Sequence, residues 1–165
     1  MSAEDFESFY RGQVDIVYRA LALTLGDSGL AREATDEAML RAYTRWPMIS
    51  TYDNPGGWVY RVGLHWAMSR WRRTRRERPL SYVDQLGPTR VSLPPDPAGM
   101  AALTALERMT IKYRAVVVAR VLLELSTAET AVALDLPEGT VKSRLARALR
   151  SLRTELTIGD DDDTR

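Results

Sequence analysis

The sequence predicts an all-α protein made of two small helical domains joined by a proline-rich linker. In both halves of the 165-residue chain, apolar side chains recur every three or four residues, the spacing that places them on one face of a helix. No stretch alternates apolar and polar residues over the length of a strand. Residues 79–99 separate the halves, and their five prolines and two glycines predict a linker.

The N-terminal domain is expected to span residues 1–78 and to hold three or four helices. The first helix is predicted over residues 4–24, where a glycine-aspartate pair follows it. The second is predicted over residues 29–46 and is stopped by a tryptophan-proline pair, since proline disfavours a helical residue before it. Residues 47–57 are dense in turn formers and predict a loop. A third helix is predicted over residues 58–76.

The C-terminal domain is expected to span residues 100–156. Its first helix is predicted over residues 100–124, and two shorter helices follow. Residues 157–165 contain four consecutive aspartates and are expected to form a disordered acidic tail. Fully extended, the linker over residues 79–99 would reach on the order of 70 Å, so the two domains are expected to be able to dock on distant surfaces.

A helix-turn-helix pattern lies within the C-terminal domain. Ser126 and Glu129 can form a capping box that starts the first helix, and a turn over residues 135–139 leads into the second. At about 100° per residue, the second helix places its Val and Leu residues on one side and its cations on the other. A solvated basic surface is the alternative to DNA binding. The second helix of such a motif lies in the DNA major groove, and its predicted DNA contacts are Thr140, Lys142, Ser143, Arg144 and Arg147.

The distribution of charge indicates a polyanionic partner. The net charge of the whole chain is only +1. Residues 61–78, however, carry seven arginines against one acid, and residues 138–153 carry five bases against one acid. Nucleic acid is the commonest partner of such basic blocks.

The inventory of reactive residues argues against an enzyme. The chain has no cysteine and a single histidine, so it lacks thiolate or histidine clusters for a metal, and no paired carboxylates have metal-site spacing. We therefore expect no catalytic residues, no metal and no cofactor, which argues against a nuclease. No apolar run approaches the roughly 20 residues of a membrane span, and the N-terminus is acidic, so we expect a cytoplasmic protein without membrane insertion.

A second candidate nucleic-acid site combines the third helix with the loop before it. This helix carries two aromatic faces, and one of them exceeds what packing in a small domain requires. Aromatic and arginine side chains together suit single-stranded DNA, where bases stack and phosphates carry charge. For Tyr52, packing within an ordinary loop is the alternative to DNA binding. For His65, the alternative is a surface position without a specific role. The predicted contacts are Tyr52, Asp53, Asn54, Arg61, His65, Arg72 and Arg73.

An acidic face is predicted on the second helix. Glu33, Asp36 and Glu37 share this helix with Arg41. These acids have no companion that would make them catalytic. A solvated surface and a docking surface for a basic protein partner both fit the pattern.

The chain resembles the extracytoplasmic-function (ECF) sigma factors, the small two-domain members of the sigma-70 class. Residues 125–156, LSTAETAVALDLPEGTVKSRLARALRSLRTEL, are similar to region 4 of that family. Leu-Gly-Asp at residues 25–27, Leu-Arg-Ala-Tyr at residues 40–43 and Arg-Trp-Arg-Arg at residues 70–73 keep the order and spacing of region 2. The resemblance covers nearly the whole chain, including the proline-rich connector.

The resemblance implies a non-enzymatic specificity subunit of bacterial RNA polymerase. Region 2 would bind the polymerase clamp through Glu33, Asp36, Glu37 and Arg41, and would open the −10 promoter element. Region 4 would bind the polymerase flap and read the −35 element. An anti-sigma factor is a further expected partner. The sequence departs from the family where Asp36 replaces a glutamine of the clamp segment and His65 replaces an asparagine that helps read the melted −10 strand.

A stand-alone helix-turn-helix regulator is the alternative function. Such a regulator is expected to have a ligand pocket and a dimer that presents two half-sites. The sequence offers no evident dimerisation seam, and a second basic and aromatic element precedes the linker. The polymerase subunit accounts for both basic blocks, the linker and the acidic helix together.

Overall fold

The computed structural model describes residues 3–77 and 97–162, and the regular structure in these two ranges is entirely helical, which confirms the all-α fold class. The elements are α1 (Ala3–Leu25), α2 (Ser28–Thr44), α3 (Trp46–Ile49), α4 (Pro55–Glu77), α5 (Pro97–Arg108), α6 (Ile111–Val117), a π-helical turn (Val118–Leu122), α7 (Thr127–Leu134) and α8 (Glu138–Asp162). Among the helices of these two ranges, none has the length and apolar character needed to cross a membrane.

Helices α1, α2 and α4 pack into the N-terminal domain through small side chains. Ala34 and Ala38 of α2 are fully buried, as is Leu21 of α1. Gly63 of α4 shows how closely the backbones approach, because a Cβ there would lie 2.8 Å from Leu21 Cδ1 and 3.2 Å from the Ala34 carbonyl oxygen. A larger residue at position 63 would push the helices apart.

Side chains in the connecting segments fix where the N-terminal helices begin. Asp27 caps α2 with its carboxylate, and Asn54 Oδ1 accepts a hydrogen bond from the Gly57 backbone N–H at 2.9 Å in the first turn of α4. The segment predicted as a loop, residues 47–57, contains most of the one-turn helix α3. Pro47 lies in the first turn of α3, where the hydrogen bond that proline cannot donate is not needed.

The single helix predicted over residues 100–124 is divided. A break after α5 leads to Thr110, the N-cap residue of α6. The π-helical turn follows, and Glu124 then has a positive φ of 53°. Periodicity does not detect this division because the sequence on both sides of the break keeps helical spacing. The predicted capping box is present, since Ser126 Oγ accepts from the Glu129 N–H while the Glu129 carboxylate accepts from the Ser126 N–H.

The two halves of the chain pack against each other. One buried cluster joins Val59 of α4 with Val118 and Leu125 of the C-terminal half. Across the same boundary, Arg114 Nε donates a hydrogen bond to the Thr24 carbonyl oxygen at 3.1 Å. The sequence suggested two domains that reach distant surfaces. The structure instead holds them together, because each offers the other apolar surface that is buried by the contact.

The ends of the elements differ from the predicted domain limits. Helix α5 begins at Pro97, three residues before the predicted domain start at residue 100. Helix α8 continues to Asp162, into the segment 157–165 that was expected to be disordered, and contains no proline that would end it. Residues 78–96, most of the predicted linker, and residues 163–165 lie outside the described residues. The domain boundaries themselves stay predictions.

Candidate nucleic-acid interface

Helix α8 turns an apolar side toward its own domain and cations toward solvent. Val141 and Ala148 are 0% and 2% exposed and pack inward. Lys142 and Arg147 are exposed on the other side. Helical angles alone predict that these four residues lie on opposite sides, and the structure keeps that division for them. Leu149, which the same angles place on the apolar side, is instead 41% exposed. Of the remaining predicted contacts, Ser143 is exposed and Thr140 and Arg144 are half-buried.

The start of α8 is held by the turn that precedes it. Asp135 ends α7 in the left-handed conformation, with φ of 56°. The Thr140 N–H then donates to the Pro137 carbonyl oxygen at 3.0 Å. Ser143 donates its hydroxyl to the Thr140 carbonyl oxygen at 3.1 Å, so it would meet a base edge as an acceptor. These local contacts fix where α8 begins.

Arg144 differs from the other predicted contacts of α8 because it stands beside the N-terminal domain. It borders a small cavity of about 160 Å³ together with Leu64 and Met68 of α4. Ile111 and Leu136 of the C-terminal half line the same cavity. The sequence offered no sign of this position, since nothing in the local spacing shows which distant helix lies alongside α8.

The predicted single-strand contacts are exposed to different extents. Tyr52 is 39% exposed, and Asp53, His65, Arg72 and Arg73 are exposed on the loop and along α4. Arg61 is half-buried. Asn54 was predicted to contact DNA, but its side-chain oxygen already accepts from the N–H of Gly57. The amide N–H₂ of Asn54 is therefore the group through which it would meet a base.

The expectation of a second, spare aromatic face on α4 is wrong. Tyr60 is fully buried, its hydroxyl lies 2.8 Å from the Thr24 hydroxyl, and burial raises its pKa above the ordinary value. Trp58 and Trp66 are half-buried and pack against the main buried cluster. Both aromatic faces of α4 are largely covered because α4 packs against α1 and α2 and also against α7 of the C-terminal half. Tyr52, which was predicted to stack on an unpaired base, is exposed.

A cleft separates the loop at residues 52–54 from α7. Its volume is about 650 Å³. Tyr52, Trp58 and Arg61 line one wall, and Leu125 and Glu129 line the other. One wall of the cleft thus contains Tyr52 and Arg61, which are predicted to contact single-stranded DNA, and the other contains the carboxylate of Glu129. Sequence reasoning missed the cleft because its two walls come from different domains.

The acidic face of α2 is largely exposed. Glu33 and Asp36 are exposed, and Glu37 is half-buried. The Arg41 Nε lies 2.9 Å from Glu37 Oε1, and an Arg70 guanidinium nitrogen lies 3.3 Å from Glu33 Oε2. The four residues predicted to bind the polymerase are therefore brought together on one helix surface, where two of the acids form ion pairs.

A shallow apolar groove adjoins the acidic face, and sequence reasoning did not identify it. Leu40 and Tyr43 of α2 are 59% and 56% exposed. They line a groove of about 270 Å³ with Phe6 and Tyr10 of α1 and with Asp36. The Phe6 ring meets Tyr43 edge-on, with ring centroids 5.2 Å apart. The exposed apolar residues at helical spacing on α2 were a signal that could have indicated this groove.

Comparison with known proteins identifies the C-terminal half first. Residues 99–152 match the family described as sigma-70, region 4. This range contains α7 and most of α8, and so includes every residue predicted to contact duplex DNA.

Full-length relatives extend the likeness to the whole chain. The chain is 33% identical to the RNA polymerase sigma-E factor of Streptomyces coelicolor, over 96% of this chain and 89% of that protein. It is 30% identical to the ECF RNA polymerase sigma factor SigL of Mycobacterium tuberculosis, over 90% of this chain and 87% of that protein. These relatives are sigma factors, which are not enzymes.

A solved structure shares the fold. The sigma factor RpoE of Bartonella quintana, crystallised in complex with the anti-sigma factor NepR, aligns with a TM-score of 0.78 at 18% identity, over 94% of this chain and 99% of that one. The relatives match this chain almost from end to end, and its C-terminal half matches the sigma-70 region 4 family. The chain therefore belongs to the extracytoplasmic-function sigma factors of the sigma-70 family.

Proposed function

We propose that this sigma factor directs core RNA polymerase to promoters by reading the −35 element with α8 and holding the opened −10 strand with the loop at residues 52–54 and the basic side of α4. The observation that supports this most is the placement of cations on α8. Lys142 and Arg147 extend into solvent opposite the buried Val141 and Ala148. A helix of this kind can enter a major groove while its apolar side stays packed.

The reading of the −35 element rests on the first turns of α8. Lys142 and Ser143 are exposed close to its N-terminal end, which is the part of a recognition helix that reaches base edges. A Cβ at Gly139 would meet nothing within 4 Å, so the approach to this end is open. Arg147 lies one turn further along the helix and suits a phosphate.

The capture of the −10 strand rests on Tyr52 and the arginines of α4. Tyr52 offers a partly exposed ring on which an unpaired base can stack. Arg72 and Arg73 are exposed near the end of α4 and would hold phosphates of the same strand. A protein without catalytic groups can open a duplex in this way because it binds the separated strand more tightly than the pair.

The docking of polymerase rests on the acidic face of α2. Glu33, Asp36 and Glu37 present carboxylates there, and the exposed Leu40 and Tyr43 continue the surface. A basic helical surface on the polymerase, such as its clamp, would be complementary to it. The flap, promoter DNA and an anti-sigma factor complete the set of proposed partners. The stand-alone regulator is not favoured, because the curated relatives that cover this chain are named as RNA polymerase sigma factors.

Transcription in vitro tests the proposed function. Core RNA polymerase is mixed with the purified chain and a library of genomic fragments, and the 5′ ends of the transcripts are mapped. We expect start sites that core polymerase alone does not produce, with shared sequences near −10 and −35. If the start sites with and without the chain are the same, the proposal is wrong.

A further inference from the structure

We propose that the cleft between the 52–54 loop and α7 is a binding site for a free nucleotide whose base carries an amino group. The volume of the cleft, about 650 Å³, lies within the range of roughly 300–1,000 Å³ that is usual for small-molecule sites. Apolar and aromatic surface, an unpaired cation and a fixed carboxylate line it together, and these three features match a nucleotide. The site does not rest on the proposed function, because it concerns a free small molecule, whether or not Tyr52 also contacts DNA.

The first feature is aromatic and apolar surface on both walls of the cleft. Tyr52 and Trp58 line the wall that belongs to the N-terminal domain, and Ala128 and Val132 line the opposite wall on α7. Tyr52 and Val132 are 39% and 60% exposed, so each keeps surface that the protein itself does not cover. A flat heteroaromatic ring suits this surface, because every nucleobase has a π face that stacks on an aromatic side chain.

The second feature is a half-buried arginine without a partner. Arg61 of α4 lines the cleft and is half-buried. Among residues 3–77 and 97–162, its guanidinium has no hydrogen-bond or ion-pair partner, although Asp53 and Glu129 line the same cleft. A cation that is partly removed from water and left unpaired favours an anionic ligand, and a phosphate can accept from two guanidinium N–H groups at once. Arg61 therefore suits the phosphate of the nucleotide.

The third feature is a carboxylate that is held in one orientation. Glu129 of α7 lines the cleft and is half-buried. Its Oε2 accepts from the Ser126 N–H at 2.7 Å, so the capping box fixes the carboxylate while the other oxygen can still accept. An amino group on a base is a hydrogen-bond donor and matches this acceptor. Guanine fits best, because its amino group and the adjacent ring N–H both donate along one edge.

The charges in the cleft favour a free nucleotide over other occupants. A purely apolar ligand would cover Arg61 and Glu129 without giving either of them a partner. A continuous strand has a phosphate on each side of every nucleotide, so a second negative charge would approach the carboxylate of Asp53 or Glu129. A nucleoside monophosphate has one anionic end, which Arg61 can bind while Glu129 contacts the base.

Equilibrium dialysis of the full chain against three small molecules tests the site. The probes are guanosine monophosphate, inosine monophosphate, which lacks only the amino group of the base, and ribose 5-phosphate, which lacks the base. We expect guanosine monophosphate to bind with a dissociation constant between about 10 µM and about 1 mM. Inosine monophosphate should bind about tenfold more weakly, because it leaves the Glu129 carboxylate short of a donor. No saturable binding of guanosine monophosphate, or equal binding of all three probes, would overturn the inference.

Two variants locate the bound nucleotide. Arg61→Ala should weaken binding of guanosine monophosphate by roughly 10- to 100-fold. Its matched control is Arg19→Ala, which removes an exposed arginine of α1 outside the cleft and should bind as the unchanged chain does. Glu129→Gln keeps the capping box, because the amide oxygen can accept from the Ser126 N–H, but the remaining N–H₂ group can only donate. This variant should therefore bind guanosine and inosine monophosphates equally.

Far-ultraviolet circular dichroism establishes that the variants fold. A folded Arg61→Ala protein with unchanged binding, or a Glu129→Gln protein that still prefers guanosine monophosphate, would contradict the assignment of the cleft.

Glu129→Gln also separates a site for a free nucleotide from a site for the promoter strand. With core polymerase, this variant should open a mapped promoter as the unchanged chain does, because the proposed strand contacts lie on the 52–54 loop and α4. Permanganate reactivity of the thymines in the −10 element measures this opening. If the variant loses opening together with its preference for guanosine monophosphate, the cleft serves the promoter strand and the inference is wrong. If the unchanged chain opens no promoter but binds the nucleotide, the proposed function fails and the nucleotide site stands.

Discussion

The hydroxyl groups of Tyr60 and Thr24 lie 2.8 Å apart in the buried contact between α4 and α1. The Thr24 hydroxyl donates its only proton to the Ala20 carbonyl oxygen at 2.8 Å, so Tyr60 must be the donor to Thr24. The tyrosine is thereby committed to the interior of the N-terminal domain. It cannot also stack on DNA, although α4 was expected to offer a spare aromatic face.

Tyr60→Phe should reduce stability without affecting promoter opening. The change removes one buried hydrogen bond but keeps the ring, so the free energy of unfolding should fall by about 1 kcal/mol. Urea denaturation measures this loss. Permanganate footprinting of the −10 element should be unchanged, and a loss of opening in a folded Tyr60→Phe protein would mean that the hydroxyl has a role in DNA binding.

Tyr52→Ala should have the opposite pattern. Tyr52 is 39% exposed, so its truncation should lower the free energy of unfolding by less than truncation of a fully buried tyrosine would. Loss of a stacking platform should weaken binding of the opened strand by about 1–3 kcal/mol. Permanganate footprinting with saturating polymerase measures the effect, and Tyr60→Phe is the control. Equal footprints for Tyr52→Ala and the unchanged protein would return Tyr52 to a packing role.

Gly63→Ala should destabilise the N-terminal domain. The new methyl group would meet Leu21 Cδ1 and the Ala34 carbonyl oxygen, and backbone oxygen cannot move aside cheaply. We expect a loss of about 1–3 kcal/mol in the free energy of unfolding.

Gly12→Ala is the matched control for this change. Gly12 is also a helix glycine, but a Cβ there meets nothing within 4 Å, so the change should be neutral or stabilising by up to about 1 kcal/mol. Comparable unfolding curves for the two variants would show that α4 and α2 are not packed as closely as described.

Asp36→Arg should impair assembly with core polymerase. The change reverses a charge at the centre of the acidic face of α2, where a basic partner is proposed to dock. Size-exclusion chromatography with core polymerase should show reduced co-elution. Asp15→Arg reverses another exposed acid, on α1 outside this face, and should assemble normally. Normal co-elution of Asp36→Arg would remove this residue from the docking surface.

The parts of the fold that depend on local sequence were predictable. The capping box at Ser126 and Glu129 and the division of α8 into apolar and basic sides follow from residue types at short spacing. The parts that were missed depend on distant partners. Leu125 looks like an ordinary helix-flanking residue until Gly57 is placed beneath it, and Arg114 looks like a solvated cation until α1 ends against it.

The candidate site divides in the same way. The exposure of Lys142 and Arg147 could be read from the helical wheel, because the buried side of α8 is fixed by its own Val and Ala residues. The burial of Tyr60 could not, because it depends on where Thr24 of α1 lies. The cap that Asn54 forms with the Gly57 N–H spans only three residues, so it belongs to the local features that the sequence could have shown. The sequence shows which aromatic residues are present, but only the packing of the helices decides which of them face solvent.

The most direct test of promoter reading by α8 is to map transcription start sites with a variant in which cationic side chains of α8 are replaced by alanine. Core polymerase is combined with the unchanged chain, with a Lys142→Ala and Arg147→Ala double variant, or with Arg108→Ala, and the same genomic library is transcribed at increasing salt. We expect the double variant to lose the start sites at salt concentrations where Arg108→Ala retains them, because phosphate contacts make affinity steeply salt-dependent. The same start sites, used equally by all three proteins at every salt concentration, would contradict the claim that α8 reads promoter DNA.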